Sequence, residues 1–102
     1  MIEADLQKQV EKYLTKKGIS SFHLPRKIGY KRRQVAGWWD LLCIGQKEQF
    51  WIECKNPEKR REQWKVSDKQ ADFGQLLFKN KIQFLMSNNY QEIVDFIDVV
   101  IG

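Results

Sequence analysis

At the start of the chain, apolar residues recur at Ile2, Leu6, Val10, Tyr13 and Leu14, the spacing of one helix face. Lys16, Lys17 and Gly18 then supply a basic last turn and a stop, so the pattern predicts a helix over about 2–17. Ile19 to Leu24 is a short β-like run closed by Pro25, and Trp38 to Ile44 is an apolar strand. Gly45 to Gln49 has the length of a hairpin loop. Phe50, Ile52 and Cys54 then alternate with Trp51, Glu53 and Lys55, which is the period of a strand. Asn56 and Pro57 end it.

Ser67 reads as the N-cap of a second helix, about 68–80, with Phe73, Leu77 and Gly74 on its inner face. Ile82 to Met86 is a fourth strand, bounded by Asn80-Lys81 and Ser87-Asn88-Asn89. A last helix, about 90–100, turns Ile93, Phe96, Ile97 and Val100 inward. The order is α-β-β-β-α-β-α, an α/β sandwich of helices on a mixed sheet. The helix between the third and fourth strands makes a natural parallel crossover.

At 102 residues, with no repeat or linker, residues 1–102 are expected to form one domain with one core. No apolar run is long enough for a membrane span, and Glu3, Asp5 and Lys8 do not suit a signal peptide, so a soluble, cytoplasmic protein is expected. Two cysteines and one histidine, His23, are too few for a closed structural zinc site. No Gly-rich phosphate loop is present, which argues against a nucleotide cofactor. Cys43 and Cys54 sit in apolar runs and read as small core residues.

The 18 Lys and Arg outnumber the 13 Asp and Glu, a net charge of +5. They are unevenly spread. Arg26, Lys27, Lys31, Arg32 and Arg33 fall in one acid-free run read as a loop, and Lys59, Arg60, Arg61 and Lys65 gather after the third strand, with Trp64 among them. Two such segments suit contact with a phosphate backbone, although solvated loops also carry such charge.

The conspicuous residues are polar groups within apolar strands. If the second and third strands turn back at Gly45 to Gln49, Asp40 falls within about one residue of directly opposite Glu53. Two carboxylates so placed raise each other's pKa unless a cation lies between them, and oxygen donors favour Mg²⁺ or Mn²⁺. Lys55 projects from the same face as Glu53 and could stabilise charge on a phosphate. The bland alternative is an ion-pair cluster on a solvent-facing sheet edge. On the first helix Glu3 and Glu11 both border the buried stripe, and Glu3 is the better third ligand. Gln70 either faces the same site or closes a capping box onto Ser67.

Taken together, Glu3 with Gln7, Gly37-Trp38-Trp39-Asp40, Ile52-Glu53-Cys54-Lys55 and Ser67 to Gln70 resemble the virus-type replication-repair nuclease (VRR-NUC) domain of the PD-(D/E)xK nuclease superfamily. The likeness runs from Glu3 to about Val94. It implies a restriction-endonuclease-like αβββαβ core with an extra C-terminal helix. It also implies phosphodiester hydrolysis with Mg²⁺ or Mn²⁺, with Glu3, Asp40, Glu53 and the Cys54 carbonyl as ligands and Lys55 and Gln70 in catalysis. Trp39 stands where the family commonly has proline, a departure that removes no ligand. Short members resembling this chain occur in phages and act as homodimers on branched DNA such as four-way junctions, which places such an enzyme in the host cytoplasm. The rival readings are a non-catalytic nucleic-acid-binding module and a nuclease with an RNA or exonucleolytic preference.

Overall fold

A computed structural model describes residues 2–23, 27–28, 33–34 and 39–102, with the backbone alone at 27–28 and 33–34. Helix α1 (Glu3–Lys16) buries Leu6, Val10 and Leu14, one residue per turn along a single stripe. Gly18, at φ 77°, ends it in the left-handed region, and Ile19 N–H donates back to the Leu14 carbonyl at 2.9 Å. Strand β1 (Ser20–His23) follows, and His23 is exposed at its end.

The basic run read as a plain loop carries a small ladder. Strands β2 (Lys27–Ile28) and β3 (Arg33–Gln34) pair antiparallel, with Lys27 opposite Gln34 and Ile28 opposite Arg33. Arg26, Lys31 and Arg32 lie outside the described residues, as do the side chains of Lys27 and Arg33.

Strand β4 (Leu41–Ile44) begins later than the apolar pattern predicts. Trp38 lies outside the described residues, and Asp40 sits in a bend before the strand. The reason is chemical: beyond the Leu41–Ile52 pair, Asp40 meets β5 (Gln49–Cys54) through side-chain bonds that replace the backbone ladder. A short 3₁₀ turn (Arg61–Gln63) precedes α2 (Asp68–Lys79), and β6 (Gln83–Ser87) and α3 (Tyr90–Ile101) complete the order.

The four long strands form a mixed sheet in the order β1-β4-β5-β6. The first two pairings are antiparallel, and β6 lies parallel to β5 after the α2 crossover. The period of two along β5 separates two packing layers. Phe50, Ile52 and Cys54 face α1 and α3, joining Leu6, Val10, Leu14, Ile93 and Ile97. On the other face Trp51 packs with Trp39, Leu77 and Phe73 beneath α2. In α3 Val94 is buried where the pattern predicted Phe96, which is half-buried with its ring edge-on to Phe50. No described helix is long and apolar enough to cross a membrane.

Cys43 and Cys54 are free thiols with no solvent exposure. Burial pushes the Cys43 thiol from 9.0 up to about 12. Neither thiol should therefore react with Ellman's reagent until the domain unfolds, so labelling should track the unfolding transition. The sign of the linkage follows. Above pH 9.0 the unfolded chain releases a proton that folded Cys43 keeps until about 12, so stability falls across that window. A serine at position 43 should flatten that alkaline slope in thermal melts taken across it.

Candidate active site

Strand β5 ends in Glu53 and Cys54, and Lys55 follows directly. Hydrophobic packing on both faces forces this polar end inside: Glu53 is fully buried, and Asp40, Lys55 and Gln70 are each at most 8% exposed. Groups taken so far from water must satisfy one another. Asp40 N–H donates to Glu53 Oε1 at 2.8 Å, and Cys54 N–H donates to Asp40 Oδ2 at 3.2 Å. These reciprocal bonds fix the two carboxylates side by side, as the hairpin register predicts.

Lys55 Nζ lies 3.3 Å from Glu53 Oε2. Its ammonium also donates to the Lys65 carbonyl at 2.9 Å and to Gln70 Oε1 at 3.5 Å. Gln70 Nε2 in turn donates to Glu53 Oε2 at 3.0 Å. The two readings of this stretch thus divide between two side chains. Ser67 Oγ caps α2 by accepting from Gln70 N–H at 3.1 Å, and the Gln70 amide itself reaches into the site.

One ammonium faces two carboxylates, and the imbalance is felt. Burial and then the neighbouring Asp40 raise the Glu53 carboxyl above its ordinary 4.5, against the opposing pull of Lys55 and of the Asp40 N–H. The Cys54 thiol is raised as well, first by burial and then by the charges of Asp40, Glu53 and Glu3. Glu3 is half-buried on α1, and its charge is felt at the Cys54 thiol. Glu11 is bonded to Gln7 on its own helix at 3.1 Å.

Among the described residues, no three carboxylate, imidazole or thiol side chains gather closely enough to enclose an ion by themselves. The donor set still fits a hard divalent cation. Mg²⁺ is commonly held by one or two carboxylates and completes its shell with water and substrate phosphate, and the excess negative charge raising Glu53 is what such an ion would relieve. Asp40 and Glu53 would hold it, and Glu3 does not join them in a three-residue group.

Three supports have no counterpart in the sequence reading. The Lys65 carbonyl is one, since a backbone acceptor leaves no trace in residue type. Trp39 is another, donating from Nε1 to the Gln70 carbonyl at 3.2 Å and so tying the segment before β4 to α2. Its place in Gly37-Trp38-Trp39-Asp40 was the available signal. The third is Asn88, whose Nδ2 donates to the Asn56 and Lys59 carbonyls at 3.1 and 2.7 Å and pins the segment after Lys55. That segment exposes Lys59, Arg60, Arg61 and Lys65, with the Arg61 guanidinium 4.8 Å from the Trp64 ring centroid. The Lys65 carbonyl joins this segment to Lys55.

No family model matches the sequence, and no curated protein matches it. A solved structure described as a VRR_NUC domain is similar at 18% sequence identity, covering 94% of each chain with a TM-score of 0.71. An identity so low speaks for architecture alone. In its mixed four-stranded sheet and flanking helices, this chain has the fold of the VRR_NUC domain that its motifs resemble.

Proposed function

We propose that the chain is a metal-dependent endonuclease that hydrolyses phosphodiester bonds in branched DNA, four-way junctions included, and acts as a homodimer. The observation that carries the reading is the convergence of Asp40, Glu53, Lys55 and Gln70, each more than nine-tenths buried, at the end of β5. A solvent-facing ion-pair cluster does not fit such burial.

A bound Mg²⁺ or Mn²⁺ would supply an activated water and draw charge from the scissile phosphate. Asp40 and Glu53 would hold the ion, and their reciprocal backbone bonds keep both carboxylates from turning away. Lys55 carries the positive charge set against the oxygens that gain charge as the phosphate is attacked. Three acceptors hold that ammonium in place before substrate arrives. Gln70 orients Glu53 and Lys55 together, so it acts as a positioning residue.

Lys59, Arg60, Arg61 and Lys65 would take the DNA backbone beside the site, joined by Arg26, Lys27, Lys31, Arg32 and Arg33. Contacts of this kind read phosphate geometry and carry no base code, which suits selection by structure. A two-fold pair would present two such sites to two strands.

The deciding assay incubates the protein with a labelled four-way junction, splayed duplex, linear duplex, and single-stranded DNA and RNA, each with Mg²⁺, Mn²⁺ or EDTA. Internal cuts in the junction with either ion, and none in EDTA, are expected. Tight binding without cutting under any ion would make it a binding module. Preferred cleavage of RNA, or trimming from ends, would move the same site to another substrate.

A further inference from the structure

From Gln70 a groove leads away between α2 and β6. It consists of two hollows of about 430 and 600 Å³ that share Phe78 and Phe84 as walls. Both volumes are within the range of small-ligand sites. Trp39 floors the nearer one, its ring edge-on to Phe84 at 5.2 Å. Gly74 permits this, because a Cβ there would come 3.1 Å from the Trp39 ring. Phe78, on the outer turn of α2, is 71% exposed.

The farther hollow carries Lys79 and Lys81 and ends on Phe96. Among the described residues, no acidic one lines either hollow. Lys81 adopts φ 59°, a left-handed conformation in which glycine is the unstrained choice at a helix end. The chain thus keeps a cation at a position whose backbone favours losing the side chain. Aromatic faces, paired lysines and no carboxylate are the chemistry of a nucleotide, a flat base joined to an anion.

We infer that this groove receives an unpaired nucleotide of the substrate strand, its base against Phe78 and Phe84 and its phosphate on Lys81. The inference rests on the endonuclease reading for the identity of the substrate. Starting at Gln70, the groove would take a nucleotide adjoining the one being cut. A base already unpaired, as at a branch, costs less to seat than one drawn from intact duplex, so the groove would contribute to selection by structure. A second copy of the chain suits the hollow poorly, because a two-fold contact through it would bring Lys79 and Lys81 of both copies together where no described acidic residue lines the wall.

The test measures binding in EDTA, where no hydrolysis competes, by fluorescence anisotropy of labelled oligothymidine and of a fully paired linear duplex. Phe78→Ala should weaken oligothymidine binding by about 5- to 150-fold and leave duplex binding unchanged. Circular dichroism should show the fold intact, since the side chain is exposed. Lys81→Gly should lower the salt slope on oligothymidine by about 0.7 while raising Tm, because it removes a phosphate contact and a strained side chain together. Equal loss on both DNAs, or no loss on either, overturns the inference. So does unchanged oligothymidine affinity with a dimer split into monomers by Phe78→Ala, seen by light scattering. If the wild type cuts no DNA but oligothymidine still depends on Phe78, the endonuclease reading fails and the groove assignment stands.

Discussion

Lys55→Met is expected to slow single-turnover cleavage of a four-way junction by about 10²–10³-fold, the usual cost of removing one donor aimed at developing charge. Binding to the same junction in EDTA should stay close to wild type, because the exposed basic side chains that meet the backbone are untouched. Methionine keeps the apolar stem and deletes only the ammonium. The change also acts on Glu53. Lys55 opposes the burial and the Asp40 charge that raise its carboxyl, and without that opposition the carboxyl holds its proton to higher pH. Residual cleavage should therefore rise with pH over a range shifted upward from wild type. Lys55→Arg should not restore the rate, since a planar guanidinium cannot reproduce three bonds made from one nitrogen to Glu53, Lys65 and Gln70. Full activity in Lys55→Met would remove this residue from the mechanism.

Much of this site is legible in the sequence because strands alternate with a strict period. Phe50 to Lys55 could be divided into two faces by inspection, and the short loop at Gly45 to Gln49 then set Asp40 against Glu53. Helical spacing likewise put Gln70 on the inner side of α2. What stayed hidden depends on atoms that residue type does not specify. The Lys65 carbonyl holds Lys55 only because the segment after β5 folds back, and the 3₁₀ turn that helps it do so has no periodicity to read. The start of β4 was misplaced because Trp38 to Ile44 is continuously apolar around Asp40, whereas side-chain bonds replace the ladder there. The groove was missed for a related reason. Phe78 follows Leu77 in an apolar run, and only the helix turn sends one inward and the other out.

Glu53→Ala is expected to destabilise the fold by about 3–5 kcal/mol, the cost of breaking a buried charge pair from one side. The loss is large because the carboxylate is fully buried and has partners on both oxygens. Its removal leaves the Asp40 N–H, the Gln70 amide and the Lys55 ammonium each short of an acceptor. For a domain near this size, Tm should fall by about 12 °C or more. Glu53→Gln should cost less, since it keeps the volume and one acceptor while ending the repulsion with Asp40, yet it should cleave no better. The acid side of the stability curve separates these effects. The carboxyl of Glu53 stands above 4.5 in the fold, so the folded chain keeps a proton that the unfolded chain has lost. Stability contributed by the protonated group is complete below 4.5 and is lost as pH climbs through the raised folded value. Glu53→Gln should flatten that slope. Mg²⁺ should reverse the loss in the wild type alone, raising its stability by about 2.7 kcal/mol at a hundredfold excess over Kd. A wild-type Tm that ignores Mg²⁺ and Mn²⁺ would mean that Asp40 and Glu53 are paired for the fold and hold no ion. Thermal melts with and without the ion therefore test the metal-binding role of Asp40 and Glu53 independently of any cleavage assay.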